Sequence, residues 1–261
     1  MIKAVFFDLD DTLLWDEKSV KDAFENTCQI AAGKYGIDPD ELEMSVRKNA
    51  RELYEAYDTY DFTKLIGINP FEGLWAEFLD EGEEFAKLKE IAPAYRKESW
   101  TRGLADLGIV DNQLGRELAE AFPRERKKTA LLFEDAIEVL EELKGNYRLL
   151  LLTNGSPSLQ NTKMDLTPEL LPYFDQILIS GEFGKGKPDP AIFEHALERM
   201  ALKNDEVIMV GDNLNTDILG AERAGIDSVW INRHQKVKDK VVPTWEISGL
   251  NYLLPIIEKY L

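Results

Sequence analysis

Short, continuously apolar runs that end in polar residues recur along this chain. The first is Ala4–Phe7, which is followed at once by Asp8. Other runs of this kind come later in the chain: Arg148–Leu152, Gln176–Ile179, Val207–Val210 and Ser228–Ile231. Such runs are typical of strands that are buried on both faces, as in a parallel sheet.

Helical periodicity lies between these runs. Residues 133–143 and 191–200 repeat apolar positions every three or four residues, which predicts amphipathic helices. Strands that alternate with helices predict an α/β fold with a doubly wound parallel sheet.

The chain between the first two motif regions is too long for a simple crossover. Thr12 and Thr153 lie 141 positions apart, whereas a crossover between neighbouring parallel strands needs only a few dozen residues. Within this stretch the pattern predicts the start of a helix, with Asp38 as the N-cap and Pro39 at the first helical position. Helical spacing also begins at Ser19, Glu83 and Asp111. We predict a helical cap domain over residues 16–128, inserted into a core domain of residues 1–15 and 129–261.

Composition narrows the partners that the protein can have. Its 31 basic and 49 acidic residues leave a formal net charge of -18, which repels a polyanion, so nucleic acid is not an expected partner. The single cysteine, Cys28, cannot form an internal disulfide, which favours a reducing, cytoplasmic setting. The N-terminal apolar run is too short for a signal-peptide core or a membrane span, so no membrane partner is expected.

Carboxylates follow the first predicted strand in a D-x-D-x-T pattern at residues 8–12. Asp8 and Asp10 are two residues apart, so their side chains can face the same side beyond the carboxyl edge of the sheet, where ligands bind. An acidic loop that only ends a strand is the alternative. A calcium-binding loop is excluded, because Leu13 stands where that loop needs glycine and Ser19 where it needs glutamate.

Two later segments would bring hydrogen-bond donors and a cation to the same edge. Thr153-Asn154-Gly155 follows a predicted strand, and its hydroxyl and turn amides could hold phosphate oxygens. Lys187 stands before a proline at a helix entry, in a loop that lacks the Gly-Lys-Ser/Thr ending of a nucleotide-binding P-loop. An ordinary turn is the alternative for the first segment, and Lys185 is interpreted as solvated surface.

A fourth segment would place further carboxylates at the carboxyl edge of the predicted sheet. Asp212 follows a predicted strand, and Asp217 comes five positions later. Asp217 can be an acidic residue at a helix N-terminus, but Asp212 adds to the negative charge of Asp8 and Asp10. Crowded carboxylates favour a cation, and hard oxygen ligands of this kind suit Mg²⁺.

The order of these motifs resembles that of the haloacid dehalogenase superfamily: D-x-D-x-T, T-N-G, K-P and then G-D-x-x-x-x-D. The resemblance implies a Rossmann-like core and a phosphatase. It implies that Asp8 attacks phosphorus and that Asp10 acts as general acid and then as base. Thr153 and Lys187 would take part in catalysis and, with Asn154, would hold the phosphate.

The same resemblance implies a Mg²⁺ site. Asp8 and Asp212 would supply carboxylate ligands, and Asp10 would supply its backbone carbonyl. Asn213 and Asp217 are expected to lie behind these ligands, with Asp217 orienting bound waters or the motif lysine.

Asp10 and Asp212 together favour phosphate chemistry, because the resemblance implies that true dehalogenases lack a carboxylate at the position of Asp10. Thr153 and Lys187 are only 34 positions apart, so the lid must be the insert after Asp10, as in C1-type caps. Several residues near or within the insert could line a cleft, although each is more often packing or surface: Trp15, Lys18, Arg47, Arg51, Tyr54, Tyr57, Tyr60, Lys64 and Trp75.

The expected substrate is a small phosphorylated metabolite. Phosphoserine comes first, because the whole chain resembles Bacillus-type members of the superfamily with that activity. A sugar-phosphate or nucleotide phosphatase is the near alternative, followed by a phosphomutase. A catalytically silent protein that kept the fold to bind a ligand is a further alternative, which the intact motif residues disfavour. The sequence does not indicate an oligomeric state.

Overall fold

The computed structural model describes residues 1–237 and 240–260. This part of the chain forms two compact units. The core unit consists of Met1–Trp15 and the chain from Leu132 onward, and the insert unit consists of Asp16–Leu131.

Within the described residues the chain forms α-helices and strands with the following bounds. The helices are α1 (Asp16–Tyr35), α2 (Pro39–Glu55), α3 (Tyr60–Ile66), α4 (Pro70–Gly73), α5 (Glu83–Asp106), α6 (Asn112–Arg126), α7 (Ala136–Leu143), α8 (Pro157–Leu166), α9 (Ser180–Phe183), α10 (Pro190–Met200), α11 (Leu219–Ala224) and α12 (Leu254–Ile257). The strands are β1 (Ala4–Phe7), β2 (Arg148–Thr153), β3 (Gln176–Ile179), β4 (Val207–Gly211), β5 (Asp227–Ile231) and β6 (Trp245–Ile247).

The strands of the core unit form one parallel sheet in the order β3-β2-β1-β4-β5-β6. The predicted α/β class is therefore confirmed, and the five predicted strands are present. The sequence pattern did not predict β6, because only Trp245 and Ile247 are apolar in it and Glu246 separates them.

Both faces of the sheet are buried, which explains why the strands read as continuous apolar runs. In β1, Val5 and Phe7 pack into one apolar cluster with α7, whereas Ala4 and Phe6 pack into a second cluster with α10. Side chains alternate between the two faces of a strand, so every residue of such a strand must be apolar. Each fully buried side chain of this size contributes about 1.5–3 kcal/mol of transfer free energy.

The register of the sheet brings three loops together at one edge. Phe7 of β1 pairs with Leu151 of β2 on one side and with Val210 of β4 on the other. The residues that follow these strands therefore emerge side by side, where the strand order reverses direction around β1. In open α/β sheets this reversal point is where ligands bind.

The insert unit is a set of helices packed around aromatic rings. Phe24 of α1 lies 4.5 Å from the ring of Phe122 in α6 and 5.8 Å from Trp100 in α5, measured between ring centroids. The start of α2 is as predicted, with the Asp38 side chain accepting a hydrogen bond from the backbone N–H of Asp40. No helix within the described residues combines the length and apolar character needed to cross a lipid bilayer.

Candidate active site

Asp8 follows the last residue of β1 and lies at the carboxyl edge of the sheet. Its backbone N–H donates to the carbonyl of Val210 at 3.0 Å, which ties this loop to β4. One oxygen of its buried carboxylate accepts a hydrogen bond from Thr12 Oγ1 at 3.2 Å. The same hydroxyl oxygen accepts from the backbone N–H of Asp212 at 3.1 Å. Thr12 therefore joins the first motif loop to the loop after β4.

Lys187 is a buried cation that lies between two carboxylates. Its ammonium nitrogen is 2.6 Å from Asp8 Oδ1 and 2.7 Å from Asp217 Oδ1, and it donates to the carbonyl of Leu152 at 2.7 Å. Burial lowers the pKa of Lys187, but the charges of Asp217 and Asp8 and their hydrogen bonds outweigh this effect. The pKa therefore lies above its ordinary value, and the lysine stays charged at neutral pH.

Burial, together with neighbouring negative charge, raises the pKa values of two carboxylates at this site. Burial raises the pKa of Asp8 to about 6, against the lowering effect of Lys187, and the charge of Asp217 adds to the rise. Burial also raises the pKa of Asp212 to about 9, with further contributions from the charges of Asp217 and Asp8. One lysine does not offset all of this charge, so the site favours a further cation.

The donor set fits a divalent ion such as Mg²⁺. Asp8, Asp212 and Asp217 offer ligand oxygens that all lie within 4.8 Å of one another. All are hard carboxylate oxygens, the donors that Mg²⁺ prefers. The expected place of Asp217 behind the ligands, orienting waters or Lys187, stays a prediction. The Asp217 carboxylate lies within this group and also contacts Lys187 at 2.7 Å.

Gly211 and Asn213 explain how Asp217 reaches that position. A Cβ atom at Gly211 would lie 2.3 Å from Asp217 Oδ2, so the absence of a side chain there admits the carboxylate. The backbone N–H of Asn213 donates to Asp217 Oδ2 at 3.1 Å. The Asn213 side chain accepts from the backbone N–H of Asn215 at the start of a short π-helix, Leu214–Ile218. Asn213 therefore supports Asp217 through its backbone, and its own side chain organises the loop.

Thr153 and Asn154 lie where the second motif predicts, at the end of β2. The Asn154 side-chain amide donates to the carbonyl of Lys187 at 2.9 Å, and its oxygen accepts from the backbone N–H of Lys187 at 2.8 Å. Asn154 therefore positions the Lys187 loop in this structure. Its contact with phosphate stays a prediction, as does that of Thr153, which is almost fully buried.

Asp10 is paired with residues that the sequence motifs did not single out. Lys163 Nζ lies 2.7 Å from Asp10 Oδ2, and Gln160 Nε2 lies 3.2 Å from the same oxygen. Both residues belong to α8, which follows the T-N-G turn. Their spacing of three positions on a helix was the available signal, but nothing in the sequence shows which strand end that helix face meets.

The residues proposed to line a cleft differ in their burial and in the unit to which they belong. Trp15 belongs to the core unit, where it stacks on Phe133 with 5.3 Å between ring centroids. Tyr54 and Trp75 are buried in the insert unit. Lys185, interpreted as surface, has a side chain that is 51% exposed.

The family follows from a comparison of the whole sequence with known proteins. A model of the haloacid dehalogenase-like hydrolases matches residues 2–225. The chain belongs to this family. The resemblance stated from the four motifs is thereby confirmed.

Relatives within the haloacid dehalogenase-like hydrolases include phosphatases. A phosphoserine phosphatase from Thermus thermophilus is 35% identical over 238 residues, covering 91% of this chain and 92% of the relative. A pyrimidine 5′-nucleotidase from Escherichia coli is 29% identical, covering 98% of each chain. A solved hydrolase of the family from Bacillus subtilis, bound to magnesium, has a TM-score of 0.67 at 22% identity over 98% of each chain, which shows the shared fold. The predicted class, a phosphoric monoester hydrolase, is confirmed by these phosphatase relatives.

Proposed function

We propose that this protein is a Mg²⁺-dependent phosphatase that acts through a phosphorylated Asp8 on a small phosphorylated metabolite. The observation that carries the proposal is the Asp8 carboxylate itself, held between Lys187 at 2.6 Å and Thr12 at 3.2 Å. A fixed carboxylate beside a buried cation is suited to attack a phosphorus atom whose oxygens carry negative charge.

In the first step an oxygen of Asp8 bonds to phosphorus while the ester P–O bond breaks and its electron pair moves to the leaving oxygen. Asp10 gives its proton to that oxygen, so a neutral alcohol leaves. Lys187 offsets the repulsion between the nucleophile and the substrate. At about 4 Å two unit charges interact by about 4 kcal/mol at an effective dielectric near 20, so this contribution is large.

In the second step Asp10 takes a proton from water as the water oxygen bonds to phosphorus. The bond between phosphorus and Asp8 breaks, and its electron pair restores the carboxylate. Asp10 is then protonated again, so the two steps return the site to its starting state. Mg²⁺, held by the carboxylates of Asp8 and Asp212 and the backbone carbonyl of Asp10, with Asp217 in the same acidic group, would supply positive charge that offsets the phosphate oxygens.

We propose phosphoserine as the first substrate to test, and the 35% identical phosphoserine phosphatase supports that choice. A nucleotide is the second candidate, supported by the relative that is a pyrimidine 5′-nucleotidase. We further propose that the insert unit is the cap that selects the leaving group. The cytoplasmic location, predicted from the single cysteine, stays a prediction.

The proposal is tested with purified protein and a panel of phosphoserine, nucleoside monophosphates and sugar phosphates, with phosphate release measured in Mg²⁺ and in EDTA. We expect turnover only with Mg²⁺, and none with Asp8→Asn. Asp11→Asn is the matched control, because it removes a carboxylate from the same loop and should keep most of the activity. Turnover by Asp8→Asn at the wild-type rate would overturn the proposal, and transfer of phosphate within the substrate without release would indicate a mutase.

A further inference from the structure

One oxygen of Asp10 is bound by two donors from a single helix. Lys163 Nζ lies 2.7 Å from Asp10 Oδ2, and Gln160 Nε2 lies 3.2 Å from it. The Lys163 side chain is 3% exposed, and Gln160 is fully buried. Both donors are therefore part of the interior rather than mobile surface groups.

The local structure of α8 explains why both residues reach the same carboxylate. The helix is capped by Ser156, whose Oγ accepts from the backbone N–H of Leu159 at 3.4 Å, and Pro157 occupies its first turn. Gln160 and Lys163 are three positions apart, so they lie on one face of the helix. That face is the one directed to the loop after β1.

Gln160 extends the connection to the end of β2. Its Nε2 lies 3.0 Å from Thr153 Oγ1 and also donates to the carbonyl of Asn154. The amide that binds Asp10 therefore also binds the threonine predicted to hold phosphate. A displacement of α8 would disturb both groups together.

A buried lysine at this position is costly for folding alone. Taking an ammonium group out of water costs several kcal/mol, and an apolar side chain of similar volume is often as stabilising as a buried ion pair. Stability alone therefore does not account for a lysine here, whereas its contact at 2.7 Å places a positive charge directly on the Asp10 carboxylate. A charged donor and an amide on one carboxylate oxygen restrict the rotation of the carboxylate and fix the direction of its other oxygen.

We propose that Lys163, assisted by Gln160, is a positioning residue that holds Asp10 in the orientation needed for proton transfer. The inference rests on the proposed function, because it assigns Lys163 a part in the reaction through Asp10. Lys163 touches neither the substrate nor the reacting atoms in this scheme.

The test is a double-mutant cycle with Lys163→Met and Asp10→Asn, measured as kcat on the best substrate of the panel. We expect Lys163→Met to lower kcat by about 10- to 100-fold when Asp10 is present, as for other groups that orient a catalytic residue. In the Asp10→Asn background the same change should alter kcat by less than about 3-fold, because the residue through which Lys163 acts is gone. Lys185→Met is the control, since it removes an exposed lysine from the neighbouring loop.

A second readout separates positioning from a general loss of structure. p-Nitrophenyl phosphate has a leaving group that needs little protonation, so Lys163→Met should slow its release of p-nitrophenol in the first turnover less than it slows alkyl ester cleavage. Equal losses in both Asp10 backgrounds, or equal losses for both esters, would overturn the inference. If Lys163→Met does not fold, Lys163→Gln keeps a donor and takes its place in the cycle. An inactive wild-type protein would instead refute the proposed function.

Discussion

The buried charges of Lys187, Asp8 and Asp217 in the core unit stabilise one another. Lys187 is in contact with the carboxylates of Asp8 and Asp217, each at 2.6–2.7 Å. Removing one partner of such a pair leaves an uncompensated buried charge, which costs about 3–5 kcal/mol. The arrangement therefore cannot be taken apart one residue at a time without a loss of stability as well as of activity.

Gly211 gives a specific prediction at this scale. Gly211→Ala places a methyl group 2.3 Å from Asp217 Oδ2 and 2.5 Å from its Cβ, so the whole Asp217 side chain must shift from its place beside Lys187. The backbone itself has no need of glycine, since Gly211 is not among the residues with positive φ. We expect kcat to fall by about 10- to 100-fold and the Mg²⁺ requirement to rise, measured by titrating Mg²⁺ in the phosphatase assay.

Asp217→Asn is the comparison for this variant. If Gly211→Ala acts by displacing Asp217, combining the two changes should be little worse than Asp217→Asn alone. Wild-type kcat and Mg²⁺ dependence in Gly211→Ala would show that the added methyl group does not displace Asp217.

At the scale of elements, two helices of the insert unit approach closely because a glycine lies between them. A Cβ atom at Gly103 in α5 would lie 2.4 Å from Val46 Cγ2 and 3.2 Å from the Val46 backbone in α2. A Cβ atom added at Gly33 in α1 would meet no neighbouring atom within 4 Å, and Gly33 is exposed. The two helical glycines therefore form a matched pair.

We expect opposite effects on stability from alanine at these two sites. Gly33→Ala should raise the free energy of unfolding by about 0.5–1 kcal/mol, because alanine restricts the unfolded chain. Gly103→Ala should lower it by about 1–3 kcal/mol, because the helices must separate. Urea denaturation of both variants measures the difference, and a stabilised Gly103→Ala protein would show that the helices do not pack as described.

The elements also show what the sequence could and could not predict. The bounds of β1 and the start of α2 follow from local patterns, an apolar run in the first case and an N-cap followed by proline in the second. The helix predicted over residues 133–143 begins only at Ala136, because residues 134 and 135 form a turn, in which Asp135 binds Arg233.

The candidate site could be predicted only in part, because local sequence patterns reveal some of its residues but not their contacts in the folded chain. Asp8 and Lys187 belong to motifs that can be read along the chain, and the structure brings them together. The pairing of Asp10 with Lys163 depends on where α8 meets the loop after β1, which is a tertiary contact with a separation of 153 positions. No local pattern contains that information.

For the whole molecule, the acidic group links stability to pH. The folded pKa values of Asp8 and Asp212 are raised to about 6 and about 9, above the value of about 3.9 in an unfolded chain. Between these values the folded protein binds more protons than the unfolded one, so the stability of the metal-free protein falls as pH rises. The contribution of these two carboxyl groups to the free energy of unfolding is fully present below about pH 4 and is lost as the pH rises above their folded pKa values.

We therefore expect the melting temperature in EDTA to fall between pH 5 and pH 9 by more than it does in saturating Mg²⁺. A bound divalent ion favours the ionised carboxylates and so removes the proton linkage. Thermal denaturation across this pH range measures the change in melting temperature with pH. Asp212→Asn is the control, and its melting temperature in EDTA should depend less steeply on pH. Identical slopes with and without Mg²⁺ would show that the ion does not bind at these carboxylates.

Trapping the phosphorylated protein tests directly whether Asp8 is the nucleophile. Wild-type protein is mixed with a ³²P-labelled phosphomonoester that it hydrolyses, quenched in acid during the first turnovers and digested, and the labelled peptide is sequenced. We expect a label on the peptide that contains Asp8, which is lost on further incubation with water and is absent from Asp8→Asn. Phosphate release with no labelled peptide, or with the label on another residue, would show that Asp8 is not the nucleophile.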